Sequence, residues 1–449
     1  MPSLSPDDTI AALSSPPGTG AVALLRVSGP LAQSVAHAAF RGPSLQPRRA
    51  LLGHITDPSG DPIDEVLLTF FPAPASYTGE DTIEISCHGG LLITRKVLDR
   101  LLQVGARHAA PGEFTQRAFL HGKLDLTQAE AVMDLISAQT DRALHAAHRQ
   151  LDGALGRHIL ALQQDLLAIL AHIEAYIDFP DDDIDPDTGH ALLARLESLQ
   201  RQLLALLATA HHGRLLREGV RTVLVGAPNA GKSSLLNQLL GFERAIVSDL
   251  PGTTRDTIEE VINLHGFPLR LIDTAGLRSA PCDPIEAAGI ARTHSQLASA
   301  DLILTVVDAS LPPPPPLDLP PNPNTRHLLV LHKSDLPRHP AWQHSSGVPV
   351  SSHTGAGLPD LAQLIAATIA DGGEALAQMD VAVNARHQAC LLRAQAALQS
   401  AHAALSQQAS AEFVALDLHL ALEALGDVVG RLDVEDLLGA IFSQFCIGK

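Results

Sequence analysis

The octapeptide Gly226-Ala227-Pro228-Asn229-Ala230-Gly231-Lys232-Ser233 constrains this chain more than any other stretch, because it fits G-x-x-x-x-G-K-[ST] at every fixed position. The short apolar, β-branched run Thr222-Val223-Leu224-Val225 before it reads as a buried strand, and Ser234-Leu235-Leu236-Asn237-Gln238-Leu239-Leu240 after it reads as a helix. Glycines let the loop backbone approach phosphates, while successive N–H groups and the helix N-terminus supply positive potential. Asn229, Ala230, Gly231, Lys232, Ser233 and Ser234 are therefore expected to line a nucleotide site. Lys232 should reach the β- and γ-phosphates, and the Ser233 hydroxyl should bind Mg²⁺. The alternative is an ordinary Gly-rich turn, and the strand–loop–helix context weighs against it.

Further pieces follow at sensible distances. Leu271-Ile272-Asp273-Thr274-Ala275-Gly276 is an apolar strand ending in Asp-x-x-Gly, with Asp273 placed for the Mg²⁺ shell and the Gly276 N–H for the γ-phosphate. Between it and the loop, Pro251-Gly252-Thr253-Thr254-Arg255-Asp256 offers two hydroxyls. One threonine there can complete Mg²⁺ coordination and order the segment only with γ-phosphate present, which makes a switch. The strand Leu328-Leu329-Val330-Leu331 runs into His332-Lys333-Ser334-Asp335, where GTPases usually show Asn-Lys-x-Asp. Asp335 can accept from guanine N1–H and the 2-amino group. Adenine has neither donor, so a carboxylate buried there should select guanine. Val350-Ser351-Ser352-His353-Thr354-Gly355 resembles the loop that closes over the base.

Ras-like proteins place a water-orienting Gln directly after Asp-x-x-Gly, and this chain has Leu277 there. The Asn229 amide, beside the phosphates, could instead ligate a monovalent cation where other systems use an arginine finger. A plain turn residue is the competing reading of Asn229.

A chain of 449 residues should hold two to four domains. Aromatics are only 3% while apolar residues are 46%, so the cores must be rich in Leu, Ala and Val, as in helical bundles. The formal charge of −18 argues against a large autonomous nucleic-acid surface, though not against a local basic patch. Cys87, Cys282, Cys390 and Cys446 are scattered without C-x-x-C, which suggests neither a disulfide framework nor zinc and fits a reducing cytoplasm. No signal peptide and no membrane-spanning run is expected.

Along the chain, residues 1–122 alternate strand-like runs with Pro/Gly turns and carry a helix from Leu91 to Val104, so they form an α+β domain. Arg26, Glu84 and Lys123 are charges close to its strands and turns, and composition favours solvated or ion-paired roles for them. Long helical patterns fill residues 123–217, opening on the capping-box spacing Thr127-Gln128-Ala129-Glu130 and continuing to about Tyr176. Residues 218–374 alternate strands and helices and predict a parallel sheet covered on both faces. Residues 375–449 are helical again. One helical domain interrupted by an inserted Ras-like P-loop domain accounts for this order, and a switch movement could then lever its two halves. The terminal Cys446-Ile447-Gly448-Lys449 fits the prenylation rule poorly.

The order of Pro16-Pro17-Gly18, Arg26-Val27-Ser28-Gly29, Tyr77-Thr78-Gly79-Glu80-Asp81, His88-Gly89-Gly90, Pro111-Gly112-Glu113-Phe114 and Lys123-Leu124-Asp125-Leu126, then the inserted G domain and the terminal Cys446-Ile447-Gly448-Lys449, resembles the MnmE (TrmE) family of tRNA-modification GTPases over essentially the whole chain. The resemblance implies a multidomain fold, α/β plus α: a folate-binding and dimerising N-terminal domain, a helical domain and the inserted G domain. It implies a cytoplasmic homodimer without a membrane segment. With the FAD- and NADH-using partner MnmG, in a heterotetramer, such a protein installs an aminomethyl or carboxymethylaminomethyl group at C5 of the wobble uridine of tRNA. A 5-formyl- or methylene-tetrahydrofolate supplies the one-carbon unit. The family's folate contacts map onto Arg26, Glu84, Lys123 and Lys449, with Cys446 beside them.

K⁺ activation of the family maps onto Asn229, the carbonyls of Ser248 and Leu250, and Thr253; Mg²⁺ maps onto Ser233 and Thr254. The water-orienting Glu maps onto Glu286 if the segment before Glu-x-x-Gly-Ile carries one extra residue, and with Lys232 and Thr254 completes the catalytic set. The nucleotide site runs on through Ser248, Thr253, Thr254, Asp273, Thr274, Ala275, Gly276, Lys333, Asp335, Ser351, Ser352 and His353. Two departures stand out: His332 for Asn, and Ser443-Gln444 before Phe445 where the family more often has Gly-Lys. A ribosome-assembly GTPase would carry a basic RNA-binding appendage, and no G-x-x-G loop in a basic setting follows residue 373. A folate enzyme with an idle G domain is hard to square with the complete P-loop, switch and Asp-x-x-Gly set.

Overall fold

The computed structural model describes residues 8–178, 190–241, 259–273, 296–315, 325–370 and 381–430, with Ile441, Phe445 and Gly448. It divides into two compact units, Met1–Met133 with Gly426–Lys449, and Asp134–Leu425.

In the first unit, β1 (Ile10–Leu13), β2 (Val22–Ser28), β3 (Phe40–Arg41), β4 (Ala50–Thr56), β5 (Pro62–Phe71), β6 (Thr82–His88) and β7 (Arg107–His108) form one sheet in the order β3-β4-β5-β6-β2-β1-β7. Every pairing is antiparallel except β1 with β7. Alternate residues of β2 and β6 face α1 (Ala32–Ala39) and α2 (Leu91–Gln103): Leu25, Val27, Ile83 and Ile85 pack with Val35, Val97 and Leu101. Ile10 and Ala12 pack with Phe114 of α3 (Glu113–Leu120) and with Tyr77. Near α3 lies a buried ionic network. Arg117 donates to Glu113 Oε1 at 3.0 Å, to both Glu80 oxygens at 3.0 and 3.1 Å, and to the Asp8 carbonyl at 2.7 Å. Arg107 donates to both oxygens of Glu113, at 2.9 and 2.7 Å.

The last residues of the chain return to this unit. Phe445 packs with Phe119, Leu126 and Ala129. The Ser14 hydroxyl donates to the Gly448 carbonyl at 3.0 Å. Gly448 has φ +96°, and a Cβ there would collide with the Leu13 carbonyl, so only glycine fits against the end of β1.

In the second unit, β8 (Val220–Val225), β9 (Glu259–Leu264), β10 (Phe267–Asp273), β11 (Leu302–Asp308), β12 (Arg326–His332) and β13 (Val348–Val350) make a sheet ordered β13-β12-β11-β8-β10-β9. It is parallel throughout except for the β9–β10 hairpin. One face packs Leu224, Leu271 and Leu304 against Leu235 of α8 (Lys232–Leu240) and Ile365 of α9 (Leu358–Ala370); the other packs Val223, Val225 and Ile303 against Leu297. Burial on both faces explains why the strands are continuous apolar runs.

The long helical pattern expected from residue 127 to about Tyr176 is three helices: α4 (Leu126–Ser137), α5 (Asp141–Leu151) and α6 (Ala154–Asp178). Thr140 caps α5, accepting from the Ala143 N–H at 3.2 Å, and Gly153 breaks the chain at φ +79°. The capping box of α4 sits two residues earlier than expected. Asp125 Oδ1 accepts from the Gln128 N–H at 2.9 Å, and Gln128 Oε1 accepts from the Asp125 N–H at 3.0 Å. The Thr127 hydroxyl donates to Asp125 at 2.6 Å.

Helices from before and after the nucleotide unit pair with each other. Gln200 of α7 (His190–Glu218) donates to the Leu398 carbonyl of α10 (Ala385–Ser406) at 3.0 Å. His419 of α11 (Ala411–Val429) lies 2.9 Å from Glu174 of α6. Phe267, the first residue of β10, is held between Arg142 of α5, 4.9 Å above its ring, and His212 of α7, whose ring meets it edge-on at 5.6 Å. The strand ending at Asp273 thus begins between two helices.

Candidate functional site

Parallel strands carry their chemistry at their carboxyl ends, and here those ends converge. The phosphate loop follows β8; Asp273 ends β10, in register with Leu224; Asp308 ends β11; His332 ends β12, in register with Asp308 and with Val350. The loop backbone is shaped by its glycines. Gly226 (φ +152°) lies so close to β11 that a Cβ would strike the Val306 carbonyl, and Gly231 (φ +100°) would strike the His332 ring. Asn229 sits at φ +65°, exposed on the loop between them. Ala230 is buried, and Ser233 and Ser234 are exposed in the first turn of α8. Lys232 Nζ donates to the Gly226 and Ala227 carbonyls at 2.8 and 3.0 Å, so it caps its own loop where an anion would sit.

At the opposite rim, Lys333 (φ +60°) donates to Asp308 Oδ2 at 2.6 Å. Burial, then the Lys333 and Ser310 hydrogen bonds, act on the Asp308 carboxyl, and the balance holds its pKa below the usual carboxylate range. Asp335 Oδ1 accepts from the Ser351 hydroxyl at 2.6 Å, which is the main cause of its lowered pKa. The expectation of a buried carboxylate changes: Asp335 is exposed, and the cost of leaving it unpaired arises only when a base covers it. The Ser351 hydroxyl also accepts from the N–H groups of His353 and Thr354 at 3.3 Å, which organises the base loop around Asp335. His332 is buried, with Nε2 2.7 Å from the Ser352 hydroxyl. Burial and then the Lys333 ammonium lower its pKa, so the ring is neutral at pH 7.

The roles of Asp308, Ser351 and Ser352 as tethers depend on strand register and loop closure, which no local pattern shows. Ser248, Leu250, Thr253, Thr254, Thr274, Ala275, Gly276 and Glu286 lie outside the described residues.

A second constellation lies in the N-terminal sheet. Antiparallel register sets Arg26 opposite Glu84, and the guanidinium donates to Glu84 Oε1 through Nε at 3.1 Å and Nη2 at 2.8 Å. Arg26 also faces the rings of Tyr77 at 5.2 Å and Phe114 at 5.6 Å. The Tyr77 hydroxyl pairs with Thr115 Oγ1 at 2.9 Å, and burial raises its pKa despite that bond and the nearby Arg26 charge. The same loop connects this pair to Lys123: Gly79 lies against the Lys123 side chain, whose exposed Nζ donates to the Pro74 carbonyl at 3.1 Å. The ion pairing anticipated for Arg26 and Glu84 is therefore present. The docked Gly448 joins the end of β1, the neighbour of β2. Cys446 and Lys449 lie outside the described residues.

A parallel sheet that gathers a phosphate loop and a Lys-x-Asp base motif at one edge defines the class, a P-loop GTP hydrolase. Comparison with known proteins narrows it. The family model of the MnmE helical domain matches residues 126–446, and that of the "GTP-binding protein TrmE N-terminus" matches 9–123. The tRNA modification GTPase MnmE of Akkermansia muciniphila is 53% identical over 455 residues, covering 99% of both chains. That of Opitutus terrae is 48% identical, covering 100% of both. That of Chloroflexus aurantiacus is 46% identical, covering 99% of this chain and 100% of its own. The chain belongs to the MnmE family of tRNA modification GTPases.

Proposed function

We propose that this GTPase adds an aminomethyl or carboxymethylaminomethyl group to C5 of the wobble uridine of tRNA, taking the bridging carbon from 5-formyl- or methylene-tetrahydrofolate. It acts in the cytoplasm as a homodimer, in a heterotetramer with the FAD-dependent partner MnmG. The observation that carries this reading is the Arg26–Glu84 pair, walled by Tyr77 and Phe114, on a sheet to which the chain's own C-terminus returns through Gly448. An arginine and a carboxylate side by side complement the mixed donor–acceptor edge of a pterin, and the half-buried Tyr77 ring suits its flat face, while the fully buried Phe114 supports Arg26. Lys123 and Lys449 would meet the anionic end of the folate. The domain limits 1–122, 123–217, 218–374 and 375–449 follow this division of labour.

In the G domain, Ser233 and Thr254 would hold Mg²⁺. The hydroxyl of Ser233 is exposed in the first turn of α8 and is a hard oxygen donor, as that ion requires. The Asn229 amide, exposed on the loop crest, would with Ser248, Leu250 and Thr253 hold K⁺, which supplies positive charge to the developing phosphate charge in place of an arginine finger. Lys232 turns from its loop carbonyls to the β- and γ-phosphates, Thr254 orders the switch, and Glu286 orients the attacking water. Gly276, with Thr274 and Ala275, senses the γ-phosphate. Hydrolysis in K⁺ is expected to exceed that in Na⁺ at equal ionic strength by at least about tenfold, and Asn229→Ala to abolish the difference while leaving GTP KM within about threefold. Steady-state rates in the two salts check this.

The reading as a whole is tested by combining the protein with its FAD partner, NADH, methylene-tetrahydrofolate, an amine donor, GTP and tRNA, and analysing the nucleosides by mass spectrometry. Modified uridine is expected in the full mixture and not when folate, GTP or the partner is omitted. Gly448→Val should unseat the tail and weaken 5-formyl-tetrahydrofolate binding by at least about tenfold while leaving GTP hydrolysis unchanged, as read by calorimetry.

A further inference from the structure

Guanine offers recognition on two edges: N1–H and the 2-amino group on one, N7 and O6 on the other. Residue 332 stands where other GTPases usually have an asparagine, whose amide carries both a donor and an acceptor. Histidine has only two ring nitrogens, and here both face protein. Nε2 is 2.7 Å from the Ser352 hydroxyl. Nδ1 is fully buried and, without a well-formed hydrogen bond, faces the backbone of Ala230 in the phosphate loop. It lies against the backbone of Gly231, so closely that a Cβ on that residue would overlap Nδ1 and Cε1. The residue as a whole is 4% exposed. The ring is wedged between the phosphate loop and the base loop.

We propose that His332 is a positioning strut that joins Gly231 to Ser352, and that it leaves guanine N7 unread, so base selection falls on Asp335 and the N1–H/2-amino edge. The charged neighbours that face it, Lys333, Asp308 and Asp335, are themselves tied: Lys333 to Asp308 and Asp335 to Ser351. None of them turns the ring toward a base. The chain thereby trades one base contact for a fixed distance between its two nucleotide loops. The inference rests on the assignment of Asp335 to guanine, and the two fail separately.

The test compares kcat/KM for GTP, for 7-deaza-GTP, which replaces N7 by C–H, and for ITP, which lacks the 2-amino group. The native protein is expected to use 7-deaza-GTP within about twofold of GTP. His332→Asn, which has an amide proton to spare, is expected to prefer GTP by about fivefold, the weight of one neutral hydrogen bond. His332→Ala should raise the KM for GTP with kcat nearly unchanged, because the two loops lose their spacer. A native protein that penalises 7-deaza-GTP fivefold or more overturns the proposal, and this outcome needs no variant to fold. Equal use of ITP and GTP would sink the Asp335 assignment whatever the 7-deaza result.

Discussion

Asp335→Asn is expected to lower kcat/KM for GTP on the order of a thousandfold and to make XTP the better substrate. In the proposed reading the carboxylate would accept from both guanine donors, N1–H and the 2-amino group. An amide in its place keeps an acceptor for N1–H but turns a donor toward the 2-amino group, so two N–H groups meet without an acceptor. Xanthine has a carbonyl at C2 and still carries N1–H, which matches the amide. Ser351, 2.6 Å from Asp335, can donate or accept and so keeps either side chain in place. Steady-state hydrolysis of the two nucleotides checks this. An equal loss for both would mean that residue 335 supports the loop without reading the base.

Arg117→Leu is expected to cost the N-terminal unit about 3–5 kcal/mol, because it takes from two largely buried carboxylates the guanidinium that neutralises both. Arg117 is 5% exposed and Glu113 0%, and Glu80 receives two of the guanidinium's bonds. Burial alone would raise the Glu113 pKa. Hydrogen bonds from Arg107 and the Ala110 N–H, and the Arg117 charge, outweigh it, so the folded pKa is below the ordinary 4.5. A depressed carboxylate pKa stabilises the fold above the unfolded value and stops doing so as the pH falls through the folded one. The variant's deficit is therefore full at neutral pH and shrinks below about pH 4.5. Hydrogen exchange of the β2 and β6 amides in the intact protein should show protection reduced by about 10²- to 10⁴-fold at pH 7. Unchanged protection would mean the network stabilises nothing.

Phosphate chemistry demands glycine, lysine and hydroxyl at set spacings, so the loop from Gly226 to Ser233 was readable from order alone, as were the apolar strand before it and the helix after it. Its tethers were not. That Lys333 meets Asp308, and His332 meets Ser352, depends on the register of β11 with β12 and on how the base loop folds back. Asp335 looked like a buried carboxylate because it follows an apolar strand, yet it projects past the strand end into solvent. The helix breaks at Thr140 and Gly153 were hidden because apolar periodicity runs straight through them, while the chain turns on one cap and one left-handed glycine. Arg26 and Glu84 are 58 positions apart and become partners only through antiparallel register. Composition supported their ion pairing; the folate role proposed for them came from family resemblance.

The most direct test of the proposed chemistry is isotopic. The protein, its FAD partner, NADH, an amine donor and tRNA are supplied with methylene-tetrahydrofolate carrying ¹³C in the methylene group, with and without GTP, and the wobble nucleoside is weighed. The label is expected in the C5 substituent, one mass unit heavier than the unlabelled product, and only with GTP present. A modified nucleoside without label would contradict folate as the carbon source, and labelled product at full yield without GTP would contradict the coupling of the G domain to the reaction.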